Sequence, residues 1–217
     1  MIKLIVFDYD GVIVDSFKSV HNVYQIICEK FGKECPFELK KFRKEYGKSH
    51  IEFMDKREFS DLEKENAAKL FSEEIIKQNH PFYEGVKEVI LNLSKNYKLF
   101  IVSSNYADEI KKKLEMLGVL DCFDEIIGEI IGNKDISPKS VVIKKILENE
   151  GIKGDEAIMI GDREVDYLEA KKAGIENVIL VEYGWGYNRT ELREHKQEII
   201  VNEPKDILTA VEKISNR

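Results

Sequence analysis

The sequence predicts an α/β fold: a doubly wound parallel sheet with a small all-helical domain inserted after its first strand. Three observations predict it. Short apolar, β-branched runs alternate with helical patterns from residue 86 onward, as parallel βα repeats do. Between about 17 and 83 the periodicity is helical and no convincing strand occurs. Several of the apolar runs end in acidic, hydroxyl or glycine residues, at the strand ends where ligands bind in open α/β sheets.

The elements follow in order. Ile2 to Phe7 reads as a buried strand ending in Asp8-Tyr9-Asp10-Gly11. Strand side chains alternate, so Asp8 and Asp10 share a side, and Gly11 lets the backbone turn sharply beside them. Asp15 and Ser16 introduce a helix from Phe17 to Phe31, with Phe17, Val20, Tyr24, Ile27 and Phe31 on one stripe and Gly32 at its end. Further helical patterns cover about 37–46, 49–57 and 60–79. Pro81 to Gly85 reads as a linker, and Val86 to Leu93 as a helix. Lys98 to Val102 is a strand ending in Ser103-Ser104-Asn105, followed by a helix over 107–117 that Gly118 closes. Phe123 to Ile127 is a short strand, and Ser140 to Glu150 a helix capped by Gly151. Ala157 to Ile160 is a strand ending in Gly161-Asp162, and a helix covers 166–173. Val178 to Val181 is the last clear strand, and Ile207 to Ser215 the last helix. The expected domains are an α/β core of 1–16 with 82–217, and a helical cap of 17–81.

Composition narrows the function. The 217 residues are 43% hydrophobic, enough for one sizeable core and a small second domain. A net charge of −7 argues against an extended nucleic-acid surface. No stretch approaches the roughly 20 apolar residues of a membrane span. Three cysteines without a CxxC pair, and no secretory leader, point to reduced thiols in a cytoplasmic protein. The four histidines (His21, His50, His80, His195) are scattered, against a His-metal centre.

The chemistry-bearing groups lie at strand ends and loops. They are Asp8 and Asp10, Ser103 and Ser104, Lys139 after Pro138, and Asp162 with Asp166. Two like charges held at one strand end are costly unless a cation or a task requires them. Hard carboxylate oxygens suit Mg²⁺, and a cation with a lysine and hydroxyl donors suits a phosphoryl group. A free carboxylate among them can act as nucleophile and form an acyl phosphate. Lys134 rivals Lys139, which is favoured because it opens a helix whose N-terminus suits an anion. Asp166 alone also reads as a first-turn acid of its helix, and Ser103 or Ser104 as turn residues.

The stretch Asp-Tyr-Asp-Gly-Val-Ile-Val-Asp-Ser resembles the first signature of the haloacid dehalogenase (HAD) superfamily. Ser103, Lys139 and Gly161-Asp162-Arg163-Glu164-Val165-Asp166 resemble its other three, in the same order. The likeness spans essentially the whole chain and is nearest to phosphoglycolate-phosphatase-like members with a helical (C1) cap. It departs at Val12, where Thr is common, at Arg163, where a small polar residue is common, and in Pro138 preceding the lysine. The resemblance implies a Rossmann-like core and a phosphoric monoester hydrolase acting on a small phosphorylated metabolite, as a monomer or homodimer. It implies that Asp8 attacks phosphorus and that Asp10 is acid, then base. It implies that Mg²⁺ is held by Asp8, the Asp10 carbonyl and Asp162, with Asp166 supporting from behind or through water. Gly11, Ser103, Ser104 and Lys139 would bind phosphate. A phosphomutase using the same acids is the alternative, and a non-catalytic binding protein a more distant one. Arg43, Lys48, His50 and Arg57 of the cap, and the 183–187 loop, are candidates to border the substrate.

Overall fold

The computed structural model describes residues 1–46, 50–129, 138–186 and 199–216. The chain divides into two compact units, Met1–Asp15 with Phe82–Arg217, and Ser16–Pro81.

The first unit is built on a six-stranded, fully parallel sheet. Its strands are β1 (Leu4–Phe7), β2 (Lys98–Tyr106), β3 (Glu125–Glu129), β4 (Ala157–Gly161), β5 (Asn177–Val181) and β6 (Ile199–Val201). Their order is β3-β2-β1-β4-β5-β6. Alternation along the strands divides the core in two. Ile5, Phe7, Leu99, Ile101, Ile158, Ile160 and Ile179 face one layer, which includes Val89 and Ile90 of helix Val86–Leu93 and Ile207 and Val211 of helix Asp206–Ser215. Leu4, Val6, Phe100, Met159, Val178 and Leu180 face the other, with Ile143 of helix Lys139–Glu150 and Ala170 of helix Glu164–Ala173. A sheet covered on both faces needs strands apolar at every position, which is why these runs do not alternate with polar residues. The chain winds outward from β1 to β3, then returns to place β4 on the other side of β1. That reversal opens a crevice beyond the carboxyl ends of β1 and β4, where doubly wound sheets bind ligands.

The second unit is helical. It comprises α1 (Phe17–Phe31), α2 (Leu39–Tyr46), α3 (His50–Asp55) and α4 (Asp61–Ile75). Val20, Tyr24 and Ile27 of the α1 stripe are buried. Tyr24 lies at the centre of an aromatic cluster with Phe42, Tyr46, Phe53 and Phe71. The remaining α-helices among the described residues are α5 (Val86–Leu93), α6 (Ala107–Leu117), α7 (Lys139–Glu150), α8 (Glu164–Ala173) and α9 (Asp206–Ser215). No helix among the described residues is long and apolar enough to cross a membrane.

The structure corrects several element boundaries. Strand β2 continues through the serines to Tyr106, because it bulges there and then pairs again with β3 at Glu129. Strand β3 begins at Glu125, two residues later than its apolar run suggests. Helix α4 stops at Ile75. Strand β6 is not legible in the sequence, because three edge residues, Ile199 half-buried, Ile200 exposed and Val201 buried, are too few to carry a periodic signal.

Candidate active site

The site lies beyond β1 and β4. The Asp8 amide continues the ladder, donating to the Ile160 carbonyl at 2.9 Å, so the residue after β1 is held level with the end of β4. The next turn folds back tightly. The Tyr9 carbonyl accepts from the amides of Val12, Ile13 and Val14, and Gly11 N–H donates to the Val14 carbonyl at 2.8 Å. Gly11 sits at φ +82°, and a Cβ there would lie 2.0 Å from Asp162 Oδ2. Only glycine permits both the left-handed turn and this approach.

Four predicted residues converge. Asp8, Asp162 and Asp166 are buried, and one carboxylate oxygen from each lies within 4.8 Å of the other two. Lys139, the first residue of α7, places its Nζ 2.9 Å from Asp8 Oδ1 and 2.7 Å from Asp166 Oδ1. Asp166 serves two purposes, because its Oδ2 accepts the Arg163 amide at 3.1 Å and so closes the start of α8. Asp162 Oδ2 accepts the Gly186 amide at 2.7 Å, whereas its Oδ1 is buried with no hydrogen-bond partner among the described residues.

The electrostatics match that crowding. Burial raises the Asp8 carboxyl to about 7. Asp166 and Asp10 push in the same direction and Lys139 opposes them. Burial, then the charges of Asp166 and Asp8, hold Asp162 well above the ordinary carboxylate range. Burial works against the Lys139 ammonium, but Asp166 and Asp8 outweigh it and keep it firmly protonated. Three carboxylates against one ammonium, with an orphaned acceptor at Asp162 Oδ1, form a donor set that fits a small hard divalent cation. Asp8, Asp162 and Asp166 are the residues whose side-chain oxygens could hold it.

Asp10 and Ser103 come from neighbouring strands, β1 and β2. Asp10 is partly exposed and its Oδ2 accepts from Asn105 Nδ2 at 3.2 Å. The Ser103 side chain is buried at the end of the regular part of β2, and its Oγ accepts the Asn105 amide at 3.1 Å. Ser104 is exposed. Lys134, Lys48 and Tyr187 lie outside the described residues. In the helical unit, His50 bonds to the Tyr24 hydroxyl at 2.6 Å. Arg57 is engaged by Glu45 at 2.6 Å and lies over the Phe53 ring. Tyr183 bonds to the Val12 carbonyl at 3.0 Å and packs edge-on against Tyr83, so that part of the aromatic loop braces the β1 turn.

Two residues of consequence were not singled out from the sequence. Asn105 was read as the end of a strand, although its position after two serines at a site-bearing strand end is itself a signal. Glu169 is buried on α8, and its Oε2 accepts both the amide (3.0 Å) and the hydroxyl (2.7 Å) of Ser140, the residue after Lys139. Nothing local in the sequence links α8 to the start of α7.

Comparison with known proteins agrees with this geometry. A family model described as haloacid dehalogenase-like hydrolase matches residues 5–181. A phosphoglycolate phosphatase of Aquifex aeolicus is 27% identical over 209 residues, covering 95% of each chain. The pyrophosphatase PpaX of Listeria welshimeri is 26% identical over 216 residues, covering 97% of this chain and 96% of its own. Among solved structures, a predicted phosphatase from Clostridium acetobutylicum superposes with a TM-score of 0.83 at 25% identity, over 98% of this chain and 99% of that one.

Proposed function

The chain belongs to the haloacid dehalogenase-like hydrolases, and we propose that it is a Mg²⁺-dependent phosphatase that cleaves a small phosphorylated metabolite through an aspartyl phosphate on Asp8. The observation that carries the reading is the buried cluster of Asp8, Asp162 and Asp166 around Lys139. A lysine locked between two of three carboxylates is an arrangement built for an incoming anion and a cation together. The relatives named for phosphoglycolate and for pyrophosphate favour small phosphate compounds as the substrate class.

In this reading Asp8 is the nucleophile. Lys139 bonds to Asp8 Oδ1 and fixes its carboxylate, leaving the second oxygen to attack phosphorus. Ser103 Oγ accepts the Asn105 amide, so its O–H remains to donate to a phosphate oxygen. The Ser104 and Gly11 backbones would line the same phosphate. Asp10 gives its proton to the departing oxygen as the phosphorus–oxygen bond breaks. It then takes a proton from the water that hydrolyses the acyl phosphate and releases Asp8. Mg²⁺ held by Asp8, the Asp10 carbonyl and Asp162 would offset the repulsion between carboxylate and phosphate.

A panel of phosphate esters with Mg²⁺, read by phosphate release, tests this. Release from at least one ester, absent in Asp8→Asn and after EDTA, is expected. Activity surviving in Asp8→Asn overturns the proposal. Isomer formation without phosphate release would favour a mutase.

A further inference from the structure

Strand β2 does not end smoothly. Val102 pairs with Ile127 of β3, and the next pair is Tyr106 with Glu129. Ser103, Ser104 and Asn105 therefore stand opposite Gly128 alone. Such bulges re-aim side chains beside active sites. The bulge requires that glycine, because a Cβ on Gly128 would lie 2.3 Å from the Asn105 carbonyl and 2.8 Å from the Ala107 amide. Backbone that would otherwise run on along the sheet is turned so that Asn105 reaches β1's terminal turn.

The Asn105 side chain is fully assigned by its partners. Its Oδ1 accepts the Tyr106 amide at 2.7 Å, and a backbone N–H can only donate, so the other end of the amide is the NH₂. That NH₂ donates to Asp10 Oδ2 at 3.2 Å. A donor fixed on Oδ2 favours the carbonyl form of that oxygen, the stronger acceptor, and so directs the hydrogen of a protonated Asp10 to Oδ1.

On the phosphatase reading above, we infer that Asn105, held by the Gly128 bulge, is the positioning residue that fixes the Asp10 rotamer and selects Oδ1 as the oxygen that exchanges the proton. In the first step an Asp8 oxygen bonds to phosphorus and the ester P–O bond breaks, its electron pair staying on the leaving oxygen. That oxygen takes the hydrogen from Asp10 Oδ1. In the second step water bonds to phosphorus, Asp10 Oδ1 takes the water's proton, and the acyl-phosphate P–O bond breaks toward Asp8.

Leaving-group dependence tests the inference, because an aryl oxide departs without a proton and an alkoxide does not. Kinetics are compared for p-nitrophenyl phosphate and an unactivated alkyl phosphate in wild type, Asn105→Ala and Asn105→Asp. The kcat/KM for the alkyl ester should fall roughly 10- to 100-fold in both variants, part of the 10²–10⁴ available from a placed proton donor. For the aryl ester kcat/KM should change less than about threefold, whereas kcat falls and a phosphoenzyme burst appears, because hydrolysis still needs Asp10 as base. Gly128→Ala, which displaces Asn105 without altering it, should show the same split. Equal losses on both esters, or none on either, overturn the inference while the phosphatase reading stands. The alkyl ester is one that the panel shows to be cleaved, and a wild-type protein that releases phosphate from no ester of the panel overturns both.

Discussion

Asp8 and Gly11 carry the sharpest expectations at the scale of single residues. Replacing Asp8 by Asn keeps shape and removes the nucleophile, so phosphate release should fall by on the order of 10³-fold or more. The fold should survive, because one of three crowded buried carboxylates has been neutralised. A cooperative thermal transition at or above the wild-type temperature checks that half. Gly11→Ala should be damaging in both respects. Its φ of +82° and a Cβ 2.0 Å from Asp162 Oδ2 leave nowhere for the methyl group. A loss of about 2 kcal/mol in urea unfolding, alongside lost activity, is expected from the combined strain and displacement. A Gly11→Ala protein with wild-type midpoint and turnover would show that the turn is not constrained as described.

Between elements, the contact that matters most is the one from α8 to the start of α7. Glu169 accepts two bonds from Ser140 and pairs with Lys172 at 2.7 Å. Burial opposes its charge, but the bonds from Lys172 and Ser140 win and hold the carboxyl down at about 2. Its folded pKa lies below its ordinary value of 4.5. The folded state therefore binds fewer protons than the unfolded one, and the stabilisation is present above pH 4.5 and is lost as the pH falls toward 2. Glu169→Gln should remove roughly 1–3 kcal/mol at neutral pH and flatten the acid limb of the stability curve. Because Lys139 immediately precedes Ser140, kcat/KM should also drop. Unchanged acid unfolding in the variant would mean that Glu169 does not fasten α7 to α8.

For the molecule as a whole, the carboxylate cluster couples stability to cation and pH. Asp8 is raised from 3.8 to about 7 and Asp162 is raised as well. The metal-free folded state thus holds protons that the unfolded state has already released. The cluster's own contribution to stability is fully present below pH 3.8 and is lost as the pH rises through about 7. A divalent cation should reverse this by binding the ionised cluster. The Mg²⁺-induced rise in Tm should therefore be larger at pH 8 than at pH 5, and absent in Asp162→Asn at both. An equal rise at the two pH values, or one retained in Asp162→Asn, would place the cation elsewhere. The sequence by itself determined the strand-and-helix order apart from β6, the helical insertion and the position of Asp8, Asp10, Asp162 and Asp166 at strand ends or a helix start, because periodicity and strand-end chemistry are local signals. Tertiary structure alone brought α7's Lys139 between Asp8 and Asp166, turned Asn105 onto Asp10 through a bulge, and used Glu169 to hold α7. Each of those depends on sheet order and register, which set neighbours tens of residues apart in the chain and leave no periodic trace in it.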